Sequence, residues 1–194
     1  HLVSYRIERR HLEWLVTNFL PEALIHTQGQ DTRIIREHYD RGNDFFEWFL
    51  GPRMVYTSGY FRDPNESVEQ AQDNKLKMVC DKLQLRPGER LLDIGCGWGT
   101  LARYAAKHYG VDATGVTISQ RQAEYGNAQI AQAGLGERCR IQCKDYRDIS
   151  PNQRFDKVVS LEMVEHVGVK NLRSFFRQVH DLTVDQGLFV LQWT

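Results

Sequence analysis

No two cysteines in this chain stand in a C-x-x-C arrangement, and the four present, Cys80, Cys96, Cys139 and Cys143, are too scattered for a thiolate metal site. Cys139 and Cys143 lie four apart in RCRIQCKD, a strand pattern that would hold them about 13 Å apart, beyond disulfide reach. Free thiols suit a reducing compartment, where each reads as a small buried hydrophobe. Charge of one sign is lacking too. The 25 Lys and Arg balance 25 Asp and Glu, so no overall field draws the chain to nucleic acid or an anionic surface. No apolar run nears the roughly 20 residues that span a bilayer, and no signal-peptide pattern opens the sequence. Internal repeats and low-complexity segments are missing as well.

What remains is ordinary globular composition, 41% hydrophobic and 26% charged, over 194 residues that can bury a full core. A start at His1 and an end in the apolar run LFVLQWT are expected of a fragment of a longer protein, cut after a fifth strand. Residues 1–80 read as a helical cap. Leu12, Leu15, Val16, Phe19 and Leu20 recur at helical spacing until Pro21 interrupts them. Arg6, Arg9, Arg10 and His11 give that segment a basic side, which would pack on the main domain or rest on a membrane. A helix is expected within DPNESVEQAQDNKLKMVCDKLQL, with Asn65 or Ser67 near its N-cap.

Residues 81–194 read differently. Apolar runs RLLDIG (90–95), DATGVTI (112–118), RIQCKD (140–145), FDKVVSLEM (155–163) and GLFVLQW (187–193) alternate with helical stretches WGTLARYAAKHYG, SQRQAEYGNAQIAQAG and VKNLRSFFRQVHDL. That alternation predicts an open, doubly wound, mainly parallel α/β sheet covered on both faces. Between the first strand and its helix, Gly95, Gly97 and Gly99 would let a cofactor touch the backbone across the carboxyl ends of the strands. Thr100 stands where the dinucleotide fingerprint needs Gly or Ala, and no acid ends the second strand, GVTIS. D-x-G-x-G-x-G, with Asp93 before the first glycine, instead resembles the first motif of S-adenosyl-L-methionine (SAM)-dependent methyltransferases.

A further oddity is HYDRGNDFFEWFLGPRMVYTSGYF, residues 38–61, which holds eight of the 21 aromatic residues with charged groups threaded among them. Together with LLDIGCGWGTLA, GVTISQRQ, KDYRDI and SLEMVEHVG, in this order, it resembles the cyclopropane-fatty-acid synthase family of lipid methyltransferases, and within it the sphingolipid C9-methyltransferases. The resemblance implies a Rossmann-like class I methyltransferase fold and SAM as cofactor. It implies Tyr56, Thr57, Asp93, Gly95 and Gly97 around the methionine end, and Thr117, Ile118 and Gln122 at the ribose and adenine. Asp145, Tyr146 and Arg147 would close over the adenine edge.

Aromatic faces attract cations by about 0.5 to 2 kcal/mol each, which suits both a sulfonium and the carbocation that alkene methylation creates. Tyr39, Phe45, Tyr56 and Tyr60 are the aromatics expected at the site, the others being core. Glu165 is expected to be the base or to help hold a bicarbonate ion that takes the proton, with His166 orienting it; its bland alternative is a helix-capping carboxylate. Gln192 stands where ring-forming synthases carry a bicarbonate-binding histidine, and Ser58 replaces a cysteine whose role is thought to run through its backbone. Glu162, Glu165 and His166 lack the first His of H-x-x-E-H, so no metal is expected.

The expected partners are a lipid substrate, sphingolipid or unsaturated phospholipid, and a membrane surface at its cytoplasmic face, with no nucleic acid; oligomeric state is not legible. The rival readings are a cyclopropane or branched-acyl phospholipid synthase, an alkaloid N-methyltransferase, and a truncated chain that binds cofactor or lipid without turnover.

Overall fold

The computed structural model describes residues 8–19 and 42–193. A short helix α1 (Arg9–Trp14) runs into a π-helical turn at Leu15–Phe19 and buries none of its residues. Helix α2 (Asn43–Leu50) stops at Gly51, and residues 51–67, expected to be helical, form turns and irregular chain around Pro52, Gly59 and Pro64. Helix α3 (Val68–Lys82) then opens on a capping box. Ser67 Oγ accepts from Gln70 N at 3.2 Å, and Gln70 Oε1 accepts from Ser67 N at 3.0 Å. Of the two expected caps it is therefore Ser67. Ser67→Ala should lower stability by about 1 kcal/mol in a thermal melt, while Asn65→Ala leaves the helix start intact.

The alternating half follows: β1 (Arg90–Ile94), α4 (Thr100–Tyr109), β2 (Asp112–Thr117), α5 (Gln120–Gln132), β3 (Cys139–Cys143), β4 (Phe155–Leu161), α6 (Leu172–Leu182) and β5 (Thr183–Gln192). All pairings are parallel, in the order β3-β2-β1-β4-β5, which is the doubly wound sheet the sequence predicts. Successive residues of a strand face opposite sides. Leu91 therefore joins Leu76, Val79, Leu101, Ala105 and Ile130 beneath α3, α4 and α5. Leu92 and Ile94 join Phe175, Val179 and Leu182 of α6 on the other face. Helix α3 thus packs on the same core as the sheet.

Strand β5 begins at Thr183, four residues before the expected GLFVLQW. It pairs Phe155 with Thr183, then resumes at Lys157 with Leu188 after a bulge. Within the bulge Gln186 takes a left-handed φ of 65°. Such irregular pairing carries no period-two signature in the sequence.

Candidate active site

The chain winds outward from β1 in both directions, so the carboxyl ends of β1 and β4 flank the switch point at which open α/β sheets bind ligands. The loop after β1 is folded down there. Gly95 N and Cys96 N both donate to Val116 O at 3.0 Å. Gly95 has φ 76°, and a Cβ on it would come within 2.5 Å of Met163 Cγ. Gly97 differs: at φ 53° its Cβ would meet nothing nearer than Gln122 Nε2 at 4.0 Å, so the missing side chain leaves open space. Two compartments meet over this loop.

The first is an open cleft between β2, the β3–β4 connection and the residues after β4. Thr117, Ile118 and Gln122 line it, with Asp145, Tyr146 and Arg147 on its far side, all six as expected. Thr117 Oγ1 donates to Gln122 Oε1 at 2.7 Å, which turns the amide's N–H₂ end toward Gly97. Asp145 caps a 3₁₀ turn at Tyr146–Asp148. Its Oδ1 accepts from Arg147 N and Nε at 2.9 Å each, and its Oδ2 from Nη2 at 2.7 Å. The carboxylate is thus clamped by its own neighbour, and the Arg147 guanidinium lies 5.5 Å from the Tyr146 ring centroid.

The second compartment, about 600 Å³, runs between the loop and the segment after α2. Tyr56, Thr57 and Asp93 line it, together with Thr100 and with Trp98 and Leu161, which sequence reasoning did not single out. Asp93 is 3% exposed and takes no hydrogen bond among the described residues; burial pushes its carboxyl up to about 7. Trp98 explains part of the aromatic-rich stretch. It is buried, donates from Nε1 to Asn43 Oδ1 at 2.8 Å, and packs its ring 4.9 Å from that of Phe46. Phe46 in turn meets Tyr56 edge-on at 5.8 Å, so the core aromatic of α2 braces the one that faces the cleft. Phe45 and Tyr60, expected at the site, do not line either compartment; both are half exposed.

Glu162 lines both compartments. It is the first residue after β4, with a left-handed φ of 51°. Its amide N donates to Gln192 O at 2.8 Å, while its Oε1 accepts from Gln192 Nε2 at 2.7 Å. Gln192 Nε2 also reaches Ser58 Oγ at 3.4 Å. His166 lines the first compartment. Glu165 does not. It faces a separate, mostly apolar cavity of about 710 Å³ with Val164, Leu172, Phe176, Leu191 and Trp193. Gln192, which stands where ring-forming synthases carry a histidine, is turned to Glu162. Tyr39 lies outside the described residues. Among the described residues no three His, Cys, Asp or Glu side chains cluster as metal ligands.

The family profile for mycolic acid cyclopropane synthetase matches residues 26–194. "Sphingolipid C9-methyltransferase 2" of Gibberella zeae is 49% identical over 195 residues, covering 98% of this chain and 37% of that protein. A sphingolipid C9-methyltransferase of Komagataella phaffii is 48% identical, covering 98% of this chain and 41% of its own length. The chain thus spans about two fifths of these curated relatives. Among solved structures, the cyclopropane synthase MmaA2 from Mycobacterium tuberculosis superimposes with a TM-score of 0.79 at 32% identity, over 82% of this chain and 55% of that one. The mycolic acid cyclopropane synthase CmaA1, complexed with SAH and CTAB, does so at 0.79 and 31%, over the same shares. The parallel sheet and its helices have the class I methyltransferase fold, and the chain belongs to the mycolic acid cyclopropane synthetase family.

Proposed function

We propose that the protein from which this chain comes is an S-adenosyl-L-methionine-dependent C-methyltransferase. Its acceptor is a carbon–carbon double bond in a lipid chain, the sphingoid base of a sphingolipid at C9. The observation that carries the reading is the buried, unpartnered Asp93 carboxylate beside Gly97, where a missing Cβ leaves room. A cofactor with an ammonium group satisfies the first, and its close approach to backbone uses the second. Asp93, Gly95, Gly97, Tyr56 and Thr57 would hold its amino-acid end. Thr117, Ile118 and Gln122 would hold the ribose and adenine, with Asp145, Tyr146 and Arg147 at the outer edge. The cofactor supplies an electrophilic methyl group on a positively charged sulfur.

The residues of this chain do the rest. Tyr56, backed by Phe46 and Phe49, places an aromatic face at the compartment mouth, attractive to positive charge and dry enough for an alkyl tail. The apolar cavity beside Val169, Phe176 and Trp193 suits further chain length. Trp48, 92% exposed on α2, suits contact with the membrane in which such a substrate resides, at its cytoplasmic face. No helix of the described residues is long and apolar enough to cross it. The sphingolipid acceptor is favoured by the relatives at 48–49% identity.

Lipid mass spectrometry of cells expressing the full-length protein, fed methionine with a deuterated methyl group, tests this. One labelled methyl on sphingoid bases is the expected result. Label on phospholipid acyl chains would move the acceptor to that class. Label in no lipid would leave a cofactor- or lipid-binding chain without turnover.

A further inference from the structure

The cleft holds a carboxylate that the motif resemblance passes over, and a buried charge behind it. Glu162 sits where the two compartments join, at the carboxyl end of β4 across the switch point from β1. Its left-handed backbone, fixed by the Glu162 N to Gln192 O bond, aims the side chain over the cleft rather than along the strand. The Gln192 amide then fixes the carboxylate at 2.7 Å. Lys75 of α3 is 2% exposed, and its Nζ has no hydrogen-bond partner among the described residues. Glu162 is the charged group that acts on it. A buried ammonium needs a counter-charge, and opposite charges attract strongly where water is excluded. A second anion such as bicarbonate at this point would be repelled by Glu162 itself.

We propose that Glu162, rather than Glu165 or a bound anion, accepts the proton released after methyl transfer, and that Lys75 is a positioning residue whose buried charge holds Glu162 to the cleft. The inference rests on the methyl-transfer reading above. The alkene π pair bonds the methyl carbon while the old carbon–sulfur pair stays with sulfur, which leaves the neighbouring alkene carbon positive. The C–H pair on the methylated carbon becomes the new π bond, and its proton bonds to a Glu162 oxygen. The product is a methyl-branched alkene and a neutral Glu162. A carbocation is so strong an acid at the adjacent C–H that any carboxylate in reach suffices. What matters is position. Glu162 has it, whereas Glu165 opens onto the other cavity.

The test uses the full-length protein with Δ8-unsaturated glucosylceramide in mixed micelles, measuring kcat in CO₂-depleted buffer and SAH affinity by calorimetry. Glu162→Gln, nearly the same shape, should lower kcat about 10²- to 10⁴-fold while SAH affinity stays within about threefold. Glu165→Gln should cost less than about tenfold, and added bicarbonate should change nothing. Lys75 is held down to about 8 by burial, opposed by Glu162, so it loses its charge as pH rises through that value. Parent kcat should fall there, and in Lys75→Met the plateau should be lower and the alkaline fall gone.

Full activity in Glu162→Gln, loss of turnover in Glu165→Gln instead, or a bicarbonate requirement overturns the role of Glu162. An alkaline fall that persists in Lys75→Met overturns the role of Lys75. A parent protein that binds SAH but methylates no lipid overturns the methyl-transfer reading and this inference together.

Discussion

At pH 8, Asp93→Asn is expected to raise the melting temperature of the cofactor-free protein while weakening SAH binding at least about 100-fold. Both effects come from one carboxylate. Asp93 ends β1 at 3% exposure, and desolvation pushes its carboxyl up to about 7 against an ordinary 3.8. Its folded-state value lies above the unfolded one, so its contribution to stability is fully present below about pH 4. That contribution is lost as pH rises through 7. The loss amounts to about 4 kcal/mol at most. Asparagine keeps the shape and removes the titration. At about 2–4 °C per kcal/mol, a gain of roughly 8–16 °C is expected at pH 8 and under half of that at pH 5. Thermal melts of both proteins at the two pH values check this, with calorimetry of SAH binding beside them. Parallel pH dependence in parent and variant would sink the argument. So would tight SAH binding by the variant. The acid is a cost the empty site carries so that a cationic ligand can relieve it.

Trp98→Ala should be the most destabilising single change near the cleft, by about 3–5 kcal/mol. The indole is 2% exposed and forms, with Phe46 and Met54, a small core separate from the two that cover the sheet. Hydrogen bonds also tie this segment down: Asn43 Nδ2 reaches Arg121 O at 3.5 Å, Gln72 Nε2 reaches Leu50 O at 3.3 Å, and Thr100 Oγ1 donates to Arg53 O at 2.8 Å. Loss of the indole removes the Phe46 contact and the Asn43 bond together. The segment from α2 to Thr57 should then open before the sheet does. Limited proteolysis should cut between residues 42 and 57 while strand amides stay protected from exchange. Trp98→Phe, which keeps most of the packing, should cost much less. Global unfolding without a local step would show that α2 is not a separate unit.

The sheet was legible because parallel strands buried on both faces write themselves as apolar runs, and the glycine loop marks where the first of them ends. The residues lining the first compartment could be placed from the sequence for the same reason. Gly95, Thr117 and Asp145 sit at or just past strand ends, and a strand end is fixed by its strand. Position within irregular chain was less so. FFEWF reads as four interchangeable aromatic residues and an acid, yet Phe46 is core and Phe45 is half exposed, a difference of one residue set by how α2 meets Trp98. SLEMVEHVG holds two glutamates three apart. Resemblance favours Glu165, but only the left-handed turn at Glu162 reveals which carboxylate overlooks the loop, and nothing in the residue types announces a positive φ there. Lys75 was hidden inside an amphipathic helix, where a lysine is ordinarily taken for solvated.

The strand order also sets a timetable for folding. β1, β2 and β3 are joined in succession, each by a single helix, and their pairing closes short loops. β4 must instead return to the far side of β1, with Arg90 N meeting Asp156 Oδ2 at 2.7 Å across 66 residues of intervening chain. Closing that longer loop comes at greater entropic cost, so the β1–β4 junction is the late-forming seam between an early half-sheet and the β4-α6-β5 unit. The crevice over this seam is also the one that the cofactor would fill. A molecule lying across it acts as a latch on the last step of assembly and retards the first step of unfolding, so the cell's supply of cofactor would set how long the folded chain survives.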